Sequence, residues 1–171
     1  VTADELTELR KFLETCGIKL NRDVVLDAQR EMGGDISTLA VRNFQRHPIN
    51  QSMYGSWFRV DASCSVDAGA INKRMQAMPL FFSSEGCWTE QDMPPKPGSR
   101  QSPGERWGPV PLAAVSEELV APGKPSRIIV WGSVLPLLNQ FNLVQDQPDD
   151  FKLTYLSNNF RWLTEREFLI A

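Results

Sequence analysis

Apolar residues near the start of the chain recur with a helical period. Leu6, Leu9, Phe12, Leu13 and Cys16 fall on one face, Thr2 and Glu5 have capping-box spacing, and Gly17 supplies a stop. A short link from Ile18 leads into the unbroken run Val24-Val25-Leu26, which predicts a buried strand with Asp27 at its carboxyl end. Residues 28–50 turn polar. Within 53–66, a mix of aromatic, β-branched and polar types predicts one or two short strands around Trp57–Val60. A short helix is expected over 70–78, then a strand over Pro79–Phe82. Two strand-like runs follow, Pro111–Ser116 and Arg127–Trp131. The turn chemistry of Ala121–Ser126 between them favours adjacent strands, with antiparallel pairing open to them. Val134–Asn139 reads as the start of a helix. Asp146 and Pro148 announce a last one, along which Phe151, Tyr155, Asn159/Phe160 and Leu163 recur beside Trp162. The pattern predicts one mixed α/β domain over residues 1–171, without internal repeats.

One stretch breaks the pattern. Residues 92–109 hold five prolines and three glycines among eighteen residues, which excludes regular structure and predicts a long surface loop. Trp88 and Trp107 bracket it. Prolines reduce the ordering cost of docking, and Trp is a frequent anchor in protein interfaces, so both residues are candidates for binding a partner subunit. The alternative is that both rings pack back onto the domain and the loop is a connector.

Charge and residue counts mainly exclude. With 18 basic and 21 acidic residues the net charge is −3, which leaves no electrostatic footprint for nucleic acid. No run of about 18 apolar residues and no signal-peptide pattern occurs. A single histidine, His47, rules out a multi-His metal site. Cys16, Cys64 and Cys87 lie 48 and 23 residues apart, unlike zinc ligands, and read as free or buried thiols. No metal or cofactor is expected, and the lone Gly33-Gly34 lacks the rest of a phosphate loop. The one nucleophile–base candidate pair, Cys87 with His47, lacks a tight elbow: Gly86-Cys87-Trp88 has no second glycine. Asp61 and Asp67 could flank a site, whereas Asp146, Asp149 and Asp150 suit a helix start. Asp27, at a strand end where open α/β sheets place ligands, and Ser133, in the turn after Trp131, are the candidate ligand-binding residues. No catalytic residue is assigned.

Six segments in order resemble the GldG-like family, auxiliary components of ABC-type transport systems associated with gliding motility. Leu13–Asp27 is similar to its segment with Gly-Ile and Val-x-Asp, and His47-Pro48-Ile49 to its His-Pro-Ile landmark. Pro79–Glu90 resembles a segment of the form Pro-Leu-x-x-Thr-Ser-x-x-Ser-Trp-x-Glu, and Gly108–Glu117 its Gly-Pro strand. Ser126–Ser133 and Asn158–Leu163 resemble the Arg-Ile-x-Val-x-Gly-Asp-Ser and Asn-x-x-x-Trp-Leu segments. The resemblance covers residues 13 to 163. It implies a layered mixed sheet with flanking helices, part of a flavodoxin- or amidotransferase-like α/β scaffold, on the extracytoplasmic (periplasmic) side of a bacterial cytoplasmic membrane. The implied role is non-catalytic, in assembly or ligand recognition. The implied partners are the permease and ATPase subunits or another envelope protein, with transport energy supplied elsewhere, since this chain has no Walker A motif. Where the family has Asp after the turn glycine, this chain has Ser133, which keeps a helix cap and removes the charge. The rival expectations are a hydrolase or transferase on the same scaffold and a soluble sugar- or peptide-binding module. The absence of Met before Val1 and the apolar turn of residues 164–171 lead to the expectation of a longer parent chain that resumes with a membrane span.

Overall fold

The computed structural model describes residues 6–29, 35–69, 75–95, 100–118, 126–134 and 149–165. Helix α1 spans Thr7–Thr15 and ends as the sequence expects: Gly17 takes a left-handed backbone (φ 79°) that a side chain would disfavour. The link after it is itself structured. Ile18–Leu20 forms β1, and Val24–Asp27 forms the expected buried β2. Thr38–Val41 (β3), Asn43–Phe44 (β4), a 3-10 helix over Pro48–Met53, Phe58–Asp61 (β5) and Val66–Ala68 (β6) follow. Met75–Phe82 (β7), Cys87–Glu90 (β8), Pro111–Glu118 (β9), Ser126–Trp131 (β10) and α2 over Asp149–Leu163 complete the order.

The scaffold expected from the family resemblance is overturned. Every strand pairing among the described residues is antiparallel: a four-stranded sheet ordered β10-β9-β7-β4, and the pairs β1-β6, β2-β8 and β3-β5. A flavodoxin-like sheet joins parallel strands through crossover helices covering both its faces. Here small antiparallel sheets dominate, helices are few, and the architecture is sandwich-like. Apolar runs such as Val24–Leu26 are buried on both faces in either design, which is why they could not separate the two. The helix expected over 70–78 is also corrected, since Met75–Met78 belong to β7. Pro79 sits inside this central strand, where it cannot donate to the ladder; the register slips between Pro79 and Phe81 as it pairs with β9. The expected adjacency of 111–116 and 127–131 is found, as the antiparallel pair β9-β10. The helix start at 135–139, the cap residues Thr2 and Glu5, Gly33-Gly34 and Asp146 lie outside the described residues.

The side chains of β10 alternate across the sheet. Ile129 and Trp131 face a large core with Val25, Leu39, Phe58, Leu80, Phe81 and the α2 residues Tyr155 and Trp162. Ile128 and Val130 face a smaller one with Leu13, Ile18, Val66 and Ala114. The β1-β6 ribbon thus lies on the opposite side of the sheet from α2. Its period of two leaves Lys19 and Asp67, which are register partners, facing outward.

Candidate functional site

The proline-rich segment closes back on β8. Gly108 N donates to the Cys87 carbonyl at 2.7 Å, Thr89 N to the Arg106 carbonyl at 2.9 Å, and Trp107 forms an isolated antiparallel bridge with Trp88. Gly108 is required at this crossing, because a Cβ there would stand 2.1 Å from the Ser84 carbonyl oxygen. The two bracketing tryptophans are therefore brought together, with ring centroids 6.3 Å apart. They differ in exposure. Trp88, at 2%, packs with Val24 and Leu26, whereas Trp107 is 55% exposed on top of it.

The other candidates lie elsewhere. Asp27 is buried at the end of β2, and its Oδ1 accepts from Gln29 N at 2.9 Å, a turn cap. Ser133 is buried after β10 and donates to the Asp61 carbonyl at 2.6 Å. The preceding Gly132 is packed so tightly that a Cβ would lie 2.1 Å from the Cys64 carbonyl oxygen. Cys87 is buried, with Ser84 Oγ 3.3 Å from its sulfur, and burial pushes its thiol pKa up, opposite to what a nucleophile needs. Cys64 is pushed up to about 11, by burial first and then by the Asp23 charge. His47 caps the 3-10 helix, Nδ1 accepting from Ile49 N at 3.3 Å, and its ring meets Trp162 edge-on at 5.3 Å. Among the described residues no group of three or more His, Cys, Asp or Glu side chains could hold a metal ion.

What the sequence pattern does not reveal is a charged cleft of about 630 Å³ between α1, the β1–β2 turn, the outer face of β6 and the segments around Thr89 and Arg106. Its floor is a hydrogen-bonded network. Ser65 N and Oγ donate to the two oxygens of Asp23 at 2.8 and 2.6 Å, and Asn21 Nδ2 donates to Ser65 Oγ and Asp67 Oδ2 at 3.0 and 2.8 Å. From the proline-rich segment, Arg106 donates Nη1 to Asp67 Oδ1 and Nη2 to Ser65 Oγ, each at 2.8 Å. Its backbone is steadied by Thr89 Oγ1, which accepts from Arg106 N at 2.9 Å. Burial alone would raise the Asp67 pKa. The hydrogen bonds from Arg106 and Asn21, with the charges of Arg106 and Lys19, outweigh it and hold the carboxyl below the usual range. Asp67 is a candidate from sequence, but its partners come from positions up to 46 residues away. The polar run Asn21-Arg22-Asp23 between two apolar strands is the one local signal of the cleft.

No family model and no curated protein matches this sequence. Among solved structures, the mmIFT52 N-terminal domain is similar, with a TM-score of 0.61 and 16% sequence identity over 91% of this chain. The match takes in 57% of that chain, so the present sequence spans little more than half its length. At such identity the likeness shows a shared fold alone.

Proposed function

We propose that this chain is a non-catalytic recognition domain, the extracytoplasmic part of a GldG-like auxiliary component of an ABC-type transport system, acting in assembly or ligand recognition. The order of the six resembling segments supports the family. Recognition rests on Trp107: a large aromatic side chain held out from the domain, its backbone bridged to β8 and its ring braced by buried Trp88. A half-exposed Trp on a fixed support offers contact area at low entropic cost, the property of an interface anchor.

Co-purification of the full-length gene product with permease and ATPase subunits tests this reading. Wild type should bring them down. Trp107→Ala should lower recovery to an extent matching about 2 kcal/mol of interface energy, with an unchanged melting temperature. Failure of the wild-type protein to retain any envelope or transport subunit would overturn it.

A further inference from the structure

The chain is acidic overall, yet five basic side chains face three carboxylates around the cleft. Two of those carboxylates are held by hydrogen bonds, Asp67 to Arg106 and Asn21 and Asp23 to Ser65, and the third, Glu14, stands on α1. The cations divide differently. Arg106 is paired with Asp67 and Lys11 with Glu8, but no carboxylate pairs with Arg10, Lys19 or Arg22 among the described residues. Arg10 donates only to the Leu20 carbonyl, and its Nε–H is buried without an acceptor. Three cations outside ion pairs thus line one concave wall, and with five basic side chains against three carboxylates the cleft carries an excess of positive charge in a molecule that is otherwise net negative.

Their arrangement narrows the ligand. Lys19 and Arg22 flank the β1–β2 turn, at most about 10 Å apart along the chain, and Arg10 approaches from α1. A single compact phosphate needs donors that converge on one point, as the backbone N–H groups of a glycine-rich turn or nest do; here the donors are long side chains set along the wall. Beside them Gln91 keeps its side-chain amide free of hydrogen bonds, a donor and acceptor suited to a peptide group. We infer that this cleft binds an extended acidic peptide segment of another protein, with Arg10, Lys19 and Arg22 taking successive carboxylates and Gln91 its main chain. The proposal does not depend on the transport reading.

The test uses the whole chain and a fluorescein-labelled octapeptide of alternating Glu and Ser, with a Lys–Ser octapeptide as counterpart, followed by fluorescence anisotropy. The acidic peptide should bind, and affinity should fall at least tenfold between about 20 and about 200 mM salt. The double variant K19E/R22E should weaken binding at least tenfold and K19Q/R22Q by less, whereas R161E on α2 should leave it unchanged. Lys19 and Arg22 are exposed, and matching melting temperatures would verify folding; the milder Gln pair serves should the charge reversal unfold. Equal binding of the Lys–Ser peptide, or affinity unmoved by both double variants, would overturn the proposal. So would tighter binding of tripolyphosphate or of phosphatidylserine vesicles than of the acidic peptide.

Discussion

On one side of the four-stranded sheet, rings of Phe44, Phe58, Phe81, Trp131 and Tyr155 meet at centroid distances of 5.0 to 6.3 Å. On the other, small residues, Ala77, Ala114 and Ala68, help form a thinner core under α1 and the β1-β6 ribbon. Beyond that thin layer begins the charged network of Asp23, Ser65, Asp67 and Arg106. Rings bury large areas and resist truncation poorly, whereas exposed or half-exposed ion pairs add little net energy. The aromatic side therefore holds the fold, and the charged side contributes little to stability. Substitutions graded across the sheet test this division.

The largest effect is expected at Phe81, fully buried and edge-on to Phe58 at 5.0 Å and to Trp131 at 5.7 Å. Phe81→Ala should cost about 3–5 kcal/mol in urea unfolding; a loss below about 1 kcal/mol would break the assignment of stability to this side. Arg127 comes next. It ties α2 to the sheet by donating Nε to Glu117 Oε1 at 2.7 Å and Nη1 to the Trp162 carbonyl at 2.5 Å, with its guanidinium 4.9 Å from the Trp162 ring. Arg127→Ala leaves a partly buried carboxylate and a carbonyl without this donor and should cost about 2–3 kcal/mol. Arg127→Lys should recover only part of it, since an ammonium cannot supply the planar fork. Equal stability of the Lys variant and wild type would show that charge alone holds α2.

Much of the fold can be read locally, and the reasons it stops where it does are physical. Helix α1, β2, the β9-β10 pair and the late helix each carry their own period or turn chemistry. Pairing partners do not: β2 meets β8, some sixty residues on, and nothing in Val24–Asp27 encodes whether that neighbour runs parallel or antiparallel. Met75–Met78 can be read as helical because Met75, Ala77 and Met78 are all half-buried and only Gln76 is exposed, so the run lacks a strict period of two. The same limit applies to the site. Trp88 and Trp107 are visible as a bracketing pair, but the cleft joins residues far apart in sequence, with Arg106 reaching Ser65 and Asp67.

Gly132 probes the seam between the sheet and the strand ends. Its N donates to the Leu112 carbonyl and its carbonyl accepts from Cys64 N, and a Cβ would collide with backbone at 2.1 Å. Gly132→Ala should therefore cost about 1–3 kcal/mol, as overpacking does. At Gly69 a Cβ would meet nothing within 4 Å, so Gly69→Ala should change stability by no more than about 0.5 kcal/mol. Equal melting temperatures for the two variants would refute the tight packing at Gly132.

The smallest effect belongs to the charged side, and its pH dependence carries the information. The Asp67 carboxyl is held below its ordinary value of about 3.9, because hydrogen bonds and charges from Arg106, Asn21 and Lys19 outweigh the burial that opposes them. A carboxyl whose folded pKa is depressed adds stability that is complete above the unfolded value and lost as pH falls through the folded one. Its side chain is 35% exposed and Arg106 45%, so solvent screening limits the gain to under about 1 kcal/mol. Asp67→Asn should accordingly be slightly less stable than wild type at about pH 5 to 7, and the gap should close as pH drops below about 3.9. Phe81→Ala should show a gap that stays open across the same range. Urea unfolding of the three proteins at several pH values measures both. A pH-independent deficit for Asp67→Asn would mean that its amide fails sterically in the network, and that the ion pair with Arg106 contributes nothing to holding the loop against β6.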